Sequence, residues 1–75
     1  MDCYVVTLVC PMNDLVLAVV DNLDDANRIA VEHEPGNIPE DIQDAYGYYG
    51  SQVIGVDVVR VVGGRPVSEE MVREF

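Results

Sequence analysis

Three runs of this chain are apolar at both odd and even positions, and that limits its folds more than any other feature. If extended, Tyr4-Val5-Val6-Thr7-Leu8-Val9-Cys10 places Tyr4, Val6 and Leu8 on one side and Val5 and Val9 on the other. Leu15-Val16-Leu17-Ala18-Val19-Val20 splits into Leu15, Leu17, Val19 and Val16, Ala18, Val20. Gln52-Val53-Ile54-Gly55-Val56-Asp57-Val58-Val59-Arg60-Val61-Val62 is the third and longest run. Valine dominates all three, and β-branched side chains suit a pleated sheet. A sheet with two apolar faces needs both covered.

The connecting segments order these runs. Pro11-Met12-Asn13-Asp14 has turn chemistry, because proline presets φ and Asn or Asp tolerates left-handed backbone. It predicts an antiparallel hairpin between the first two runs. Asp21 or Asn22 then caps a helix, with Asp24 and Asp25 at the positive end of its dipole. Leu23, Ala26, Ile29, Ala30 and His33 recur at helical spacing until Pro35 and Gly36 stop the pattern. Ile38 to Tyr46 predicts a short second helix with Pro39 in its first turn and Ile38, Ile42, Ala45 and Tyr49 on one side. Gly63-Gly64-Arg65-Pro66 breaks the third run, and Ser68 to Phe75 reads as a terminal helical turn capped by Ser68.

The expected fold is therefore α+β, a single domain over residues 1–75. It has a small three-stranded antiparallel sheet in the order ββα(α)β(α), with the main helix on one face. The second face falls to the segment Asn37 to Gly50, to the C-terminal turn, or to a second subunit. Burying a few hundred Å² of apolar surface at ~25 cal/mol per Å² favours association, which makes a homodimer an expectation.

Charge bears on function. The chain has 14 Asp and Glu against 4 Lys and Arg, all four of them arginine, a formal net charge of -10. Such a field repels nucleic acid and anionic membrane and attracts basic surfaces. Solubility alone needs far less. Asp21, Asp24 and Asp25 form one acidic cluster, Glu40, Asp41 and Asp44 a second, and Glu69, Glu70 and Glu74 a third. Each also has a plain role in helix-start electrostatics and solvation. Tyr46-Gly47-Tyr48-Tyr49-Gly50 adds three tyrosines, a residue type enriched at binding hot spots, although rings there also serve to cap a sheet.

Other chemistries find little here. No apolar run approaches the ~18 residues of a membrane span. Met1-Asp2-Cys3-Tyr4 lacks the basic start of a signal peptide, so a cytoplasmic protein is expected. On one strand Cys3 and Cys10 point to opposite faces about 23 Å apart, beyond disulfide reach, which suits free thiols in a reducing compartment. The Asp21–Asp25 stretch lacks calcium-loop spacing, and a single histidine, His33, with divergent cysteines argues against a zinc site. Cysteines in apolar strands are usually inert packing, so no catalytic residue is assigned and no cofactor is expected. Gly63-Gly64-Arg65 is compatible with an anion cradle and equally with a tight turn.

The opening Met1-Asp2-Cys3-Tyr4-Val5-Val6, the hairpin and the helix start Asp21-Asn22-Leu23-Asp24-Asp25-Ala26 resemble small acidic accessory proteins of bacteriophages and mobile elements. The likeness is one of pattern and transfers no functional residue. It implies a class, with anti-CRISPR and other host-takeover inhibitors among its members, that acts by occupying a partner. The resulting expectation is a non-catalytic inhibitor covering a basic, nucleic-acid-binding surface of a host or defence protein. Asp21, Asp24, Asp25, Glu40, Asp41 and Asp44 steer the encounter, and Tyr46, Tyr48 and Tyr49 supply buried contact. The alternatives are a small regulatory domain that binds a metabolite between subunits through the glycine turns, and a structural subunit of a larger assembly.

Overall fold

A computed structural model of the chain describes residues 2–33, 38–49 and 52–75, and of Tyr48 and Tyr49 only the backbone. Strand β1 (Asp2–Val9) and strand β2 (Leu15–Val20) form the expected hairpin, with Leu8 opposite Leu15 and Tyr4 opposite Val20. Asp14 tightens the turn: its Oδ1 accepts the Cys10 backbone N–H at 3.3 Å. Helix α1 (Leu23–Glu32) follows, then a 3-10 turn at Glu40–Ile42 that runs into helix α2 (Gln43–Tyr49). Strand β3 (Gly55–Val62) pairs antiparallel with β1, matching Val6 to Val58 and Leu8 to Val56.

The expected C-terminal helix does not form. Arg65–Glu74 is a fourth strand, β4, antiparallel to β3, so the order is ββα(α)ββ and the sheet has four strands, β2-β1-β3-β4. Gly63 and Gly64 cause this. Their φ values of 60° and 81° make a two-residue turn with both central residues left-handed, the type whose twist matches a hairpin. Val62 is thereby set opposite Arg65, and ladder hydrogen bonds outweigh the weak preference of a short segment for helix.

A bulge corrects a second expectation. The register of β1 with β2 shifts between Val6 and Thr7, so that Val6 faces Ala18 while Thr7 faces Val16. Leu17 is the extra residue, and its insertion inverts the alternation beyond it. Leu15, Ala18 and Val20 thus share the face of Leu8, whereas Val16 and Val19 lie 51% and 61% exposed on the other.

The core lies between α1 and one sheet face. Val6, Leu8, Cys10, Leu15, Val56 and Val58 from the sheet close against Ala26 and Ala30 of the helix. Alanines at these positions let the helix approach closely, and β-branched strand residues fill the space. Asn22 starts α1 as its N-cap: its Oδ1 accepts the Asp25 N–H at 2.8 Å, and its Nδ2 donates to Asp25 Oδ2 at 2.8 Å. The last turn contains no basic residue, and a distant one substitutes. Arg73 of β4 donates from Nη1 to the carbonyls of His33 at 2.7 Å and Val31 at 3.2 Å, two of the acceptors a helix end leaves open.

Ile42, Ala45 and Tyr46 of the second helical segment pack against the same core, on the α1 side. Of the covers expected for the other sheet face, the C-terminal residues have joined the sheet instead, and the described part of the segment Asn37 to Gly50 packs on the α1 side. Both helices therefore share one face. No described element lies over the opposite one. Cys3 and Cys10 sit on opposite faces as free thiols, Cys10 buried and Cys3 half-buried. The expected helix stop at Pro35 and Gly36 lies outside the described residues.

Candidate partner-binding surface

The helix side carries most of the exposed carboxylates. Asp21 and Asp24 are exposed at the start of α1, and Asp25 beside them is half-buried. Asp25 is the most engaged: besides the cap, its Oδ1 accepts from Arg28 Nη2 at 3.1 Å. Glu40 and Asp41 occupy the 3-10 turn and Asp44 the first turn of α2, all exposed. Glu32 at the end of α1 and Glu70 of β4 are exposed too. The two expected clusters share this side but not one spot. The first sits at the N-terminal end of α1, whereas Tyr46 of α2 meets His33 at its C-terminal end, with ring centroids 6.4 Å apart. Ten residues of helix at ~1.5 Å rise put roughly 15 Å between those ends.

Three of the four arginines are engaged away from these exposed carboxylates, and the fourth, Arg65, is exposed at the start of β4. Arg28 is paired with Asp25, Arg60 with Asp2 at 3.3 Å, and Arg73 is held by the helix end, its guanidinium 4.9 Å from the Phe75 ring centre. Tyr46 is half-buried against the core, which leaves only part of the residue exposed. The side chains of Tyr48 and Tyr49 lie outside the described residues. The third acidic cluster does not form a helix start. It is spread along β4, where alternation puts Glu69 and Glu70 on opposite faces.

One residue was missed by the sequence reading. Asp57 lies in a valine run, opposite Thr7 on the uncovered face, and is only 5% exposed. Its Oδ1 is buried and meets no donor among the described residues. Burial pushes its carboxyl up to about 6, helped by a hydrogen bond with Glu69 and by the charges of Glu69 and Asp14. A carboxylate flanked by two valines on an inner strand was the available signal, and it became specific only once β4 brought Glu69 alongside. Burial also raises the Cys10 thiol, with the Asp14 charge adding to it, so a thiolate there is disfavoured.

An open groove of about 330 Å³ lies between α1, β2 and the 3-10 turn, lined by Leu17, Ile29, Glu32, His33, Ile38 and Pro39. Gly63 and Gly64, the other feature considered for a small ligand, spend their conformational freedom on the β3–β4 turn. Among the described residues no group of three or more His, Cys, Asp or Glu side chains is placed to hold a metal ion. No described helix is long and apolar enough to cross a membrane. No family model matches the chain, and neither does any curated protein or solved structure.

Proposed function

We propose that this protein is a non-catalytic interaction factor that lays its acidic helix side on a basic surface of a partner protein. In this reading the partner surface normally binds nucleic acid, and the protein inhibits it by occupation, in the manner of an anti-defence factor. The observation that carries the proposal is the placement of Asp21, Asp24, Glu40, Asp41 and Asp44. Asp24, Glu40, Asp41 and Asp44 are exposed on the helical segments, Asp21 is exposed at the start of α1 at the margin of the sheet near Cys3 and Val19, and no basic side chain pairs with any of them among the described residues.

The first cluster and the His33–Tyr46 contact that anchors the second helical segment lie at opposite ends of α1, whose length of roughly 15 Å is about the axial distance of nine phosphates counted over both strands of a duplex at ~1.7 Å each. A basic groove built to follow a phosphate backbone would therefore meet charge along a comparable length. Unpaired surface carboxylates also raise the encounter rate with a positive partner. The partially exposed Tyr46 lies beside the second cluster and supplies apolar contact there.

The test is to capture partners from the source cells on the immobilised chain and to elute in parallel with salt and with a DNA duplex. The captured protein is then titrated with the native chain and with a D21N/D24N/E40Q/D41N/D44N variant. At least about tenfold weaker binding is expected for the variant, and a similar loss for the native chain between low and high salt. Binding that resists salt, duplex and charge neutralisation alike would overturn the proposal.

A further inference from the structure

The sheet has one face sealed by helices and one on which Val5, Val9, Val16, Val19, Val59 and Val61 stand without any described element above them. We propose that this face is the contact surface for a second copy of the chain, and that protonation of Asp57 within it governs the association.

Size favours that occupant. Four strands about 4.8 Å apart and eight residues long at about 3.3 Å cover on the order of 500 Å² per copy. Two copies would bury about 1,000 Å², the lower bound for a specific interface. The anatomy also fits. Val5, Val9, Val59 and Val61 stand on the two central strands around the buried Thr7–Asp57 pair, Val16 and Val19 line the β2 edge, and Glu69 with the half-exposed Met71 forms a more polar border on β4. The charge layout admits a copy of this chain at this face despite the net charge of -10. Two molecules meeting valine to valine keep both acidic helix sides pointing outward, where their mutual repulsion is smallest, and a matching flat apolar sheet is what packs at about 10 Å.

Asp57 sets the condition for contact. The titratable groups facing it are Glu69 from β4 and Asp14 from the β1–β2 turn, both acidic, while β1 contributes the uncharged Thr7. Arg60 projects from the opposite face, where it meets Asp2. A second sheet laid over Asp57 removes its remaining solvent and offers the charged form no cation. The neutral acid is tolerated there and the carboxylate is not. Association therefore takes up protons and weakens as pH rises.

Sedimentation velocity on the full chain from roughly 10 to 500 µM, at about pH 5.5 and about pH 7.5, tests this. The expected result is a dimer at the lower pH whose dissociation constant rises at least about tenfold at the higher one. D57N should dimerise comparably at both. V16E/V19E, which alters two exposed side chains, should keep its circular dichroism and remain monomeric at both. A native chain still monomeric at the lower pH and highest concentration would overturn the proposal. So would native-like dimers of V16E/V19E, or a D57N protein that keeps the native pH dependence. The acidic helix side is not used here, so D21N/D24N/E40Q/D41N/D44N should dimerise undiminished even though it loses partner binding.

Discussion

Arg73 donates a 2.7 Å hydrogen bond to the carbonyl of His33, joining the end of the first helix to a strand forty residues further along the chain. The same Nη1 reaches Val31 O at 3.2 Å, so one guanidinium supplies the positive charge that α1 lacks in its own last turn. This contact and the burial of Ala26 and Ala30 set the helix on the sheet from two sides. R73A should lower stability by about 1–2 kcal/mol, read as a reduced urea midpoint with unchanged slope. R73K, with a single ammonium on a flexible stem, should recover part of that loss. An R73A protein as stable as the native chain would remove the capping role.

Asp57 makes stability depend on pH in a direction opposite to most carboxylates. Its folded form titrates near 6, whereas an unfolded aspartate titrates at about 3.9. Between those values the folded state holds the additional proton, so Asp57 lowers stability as pH rises through the window, and the whole cost is present above about 6. At micromolar concentration, D57N should gain stability over the native chain near neutral pH, with the difference shrinking towards about pH 4. A difference that stays constant across the window would contradict this assignment.

Two glycines should respond oppositely to alanine. A Cβ on Gly55 would lie 2.5 Å from the Arg73 carbonyl oxygen and 3.0 Å from Met71 Sδ, so β4 would have to move away from β3. G55A should cost about 1–3 kcal/mol as an overpacked site. Gly47 lies in α2 with nothing within 4 Å of an added Cβ. G47A should be neutral or stabilise by up to about 1 kcal/mol through helix propensity. Thermal midpoints of the pair check both directions.

The β3–β4 turn gives a sharper test of why the fourth strand exists. Gly63 and Gly64 both have positive φ, so G63A or G64A should each cost roughly 1–2 kcal/mol, whereas G63N should be nearly silent because Asn tolerates that conformation. Equal losses for G63A and G63N would mean that the turn conformation is not what the glycine provides.

The strand-forming runs were legible because their valine density leaves little else for them to be, and α1 because Asn22, Asp25 and the Ala26–Ala30 spacing agree with one another. Ser68-Glu69-Glu70 misled. A serine followed by acidic residues imitates a capped helix, and local propensity does not register that Gly63-Gly64 has already turned the chain back along β3. The Leu17 bulge was equally hidden, since strict alternation placed Val19 with Leu15 when the structure puts them on opposite faces. The positions of Asp21, Asp24, Glu40, Asp41 and Asp44 could be read from their helix-start pattern. The Asp57–Glu69 pair could not, because it depends on the strand that was misassigned.

The separation of the two thiols has a practical consequence. Cys10 is sealed beneath α1 and its burial disfavours the reactive thiolate, whereas Cys3 is half-exposed on the valine-lined face. A maleimide fluorophore added to the folded chain should therefore attach at Cys3 alone. Such a dye would report any body that settles on that sheet, with no cysteine engineered in or removed.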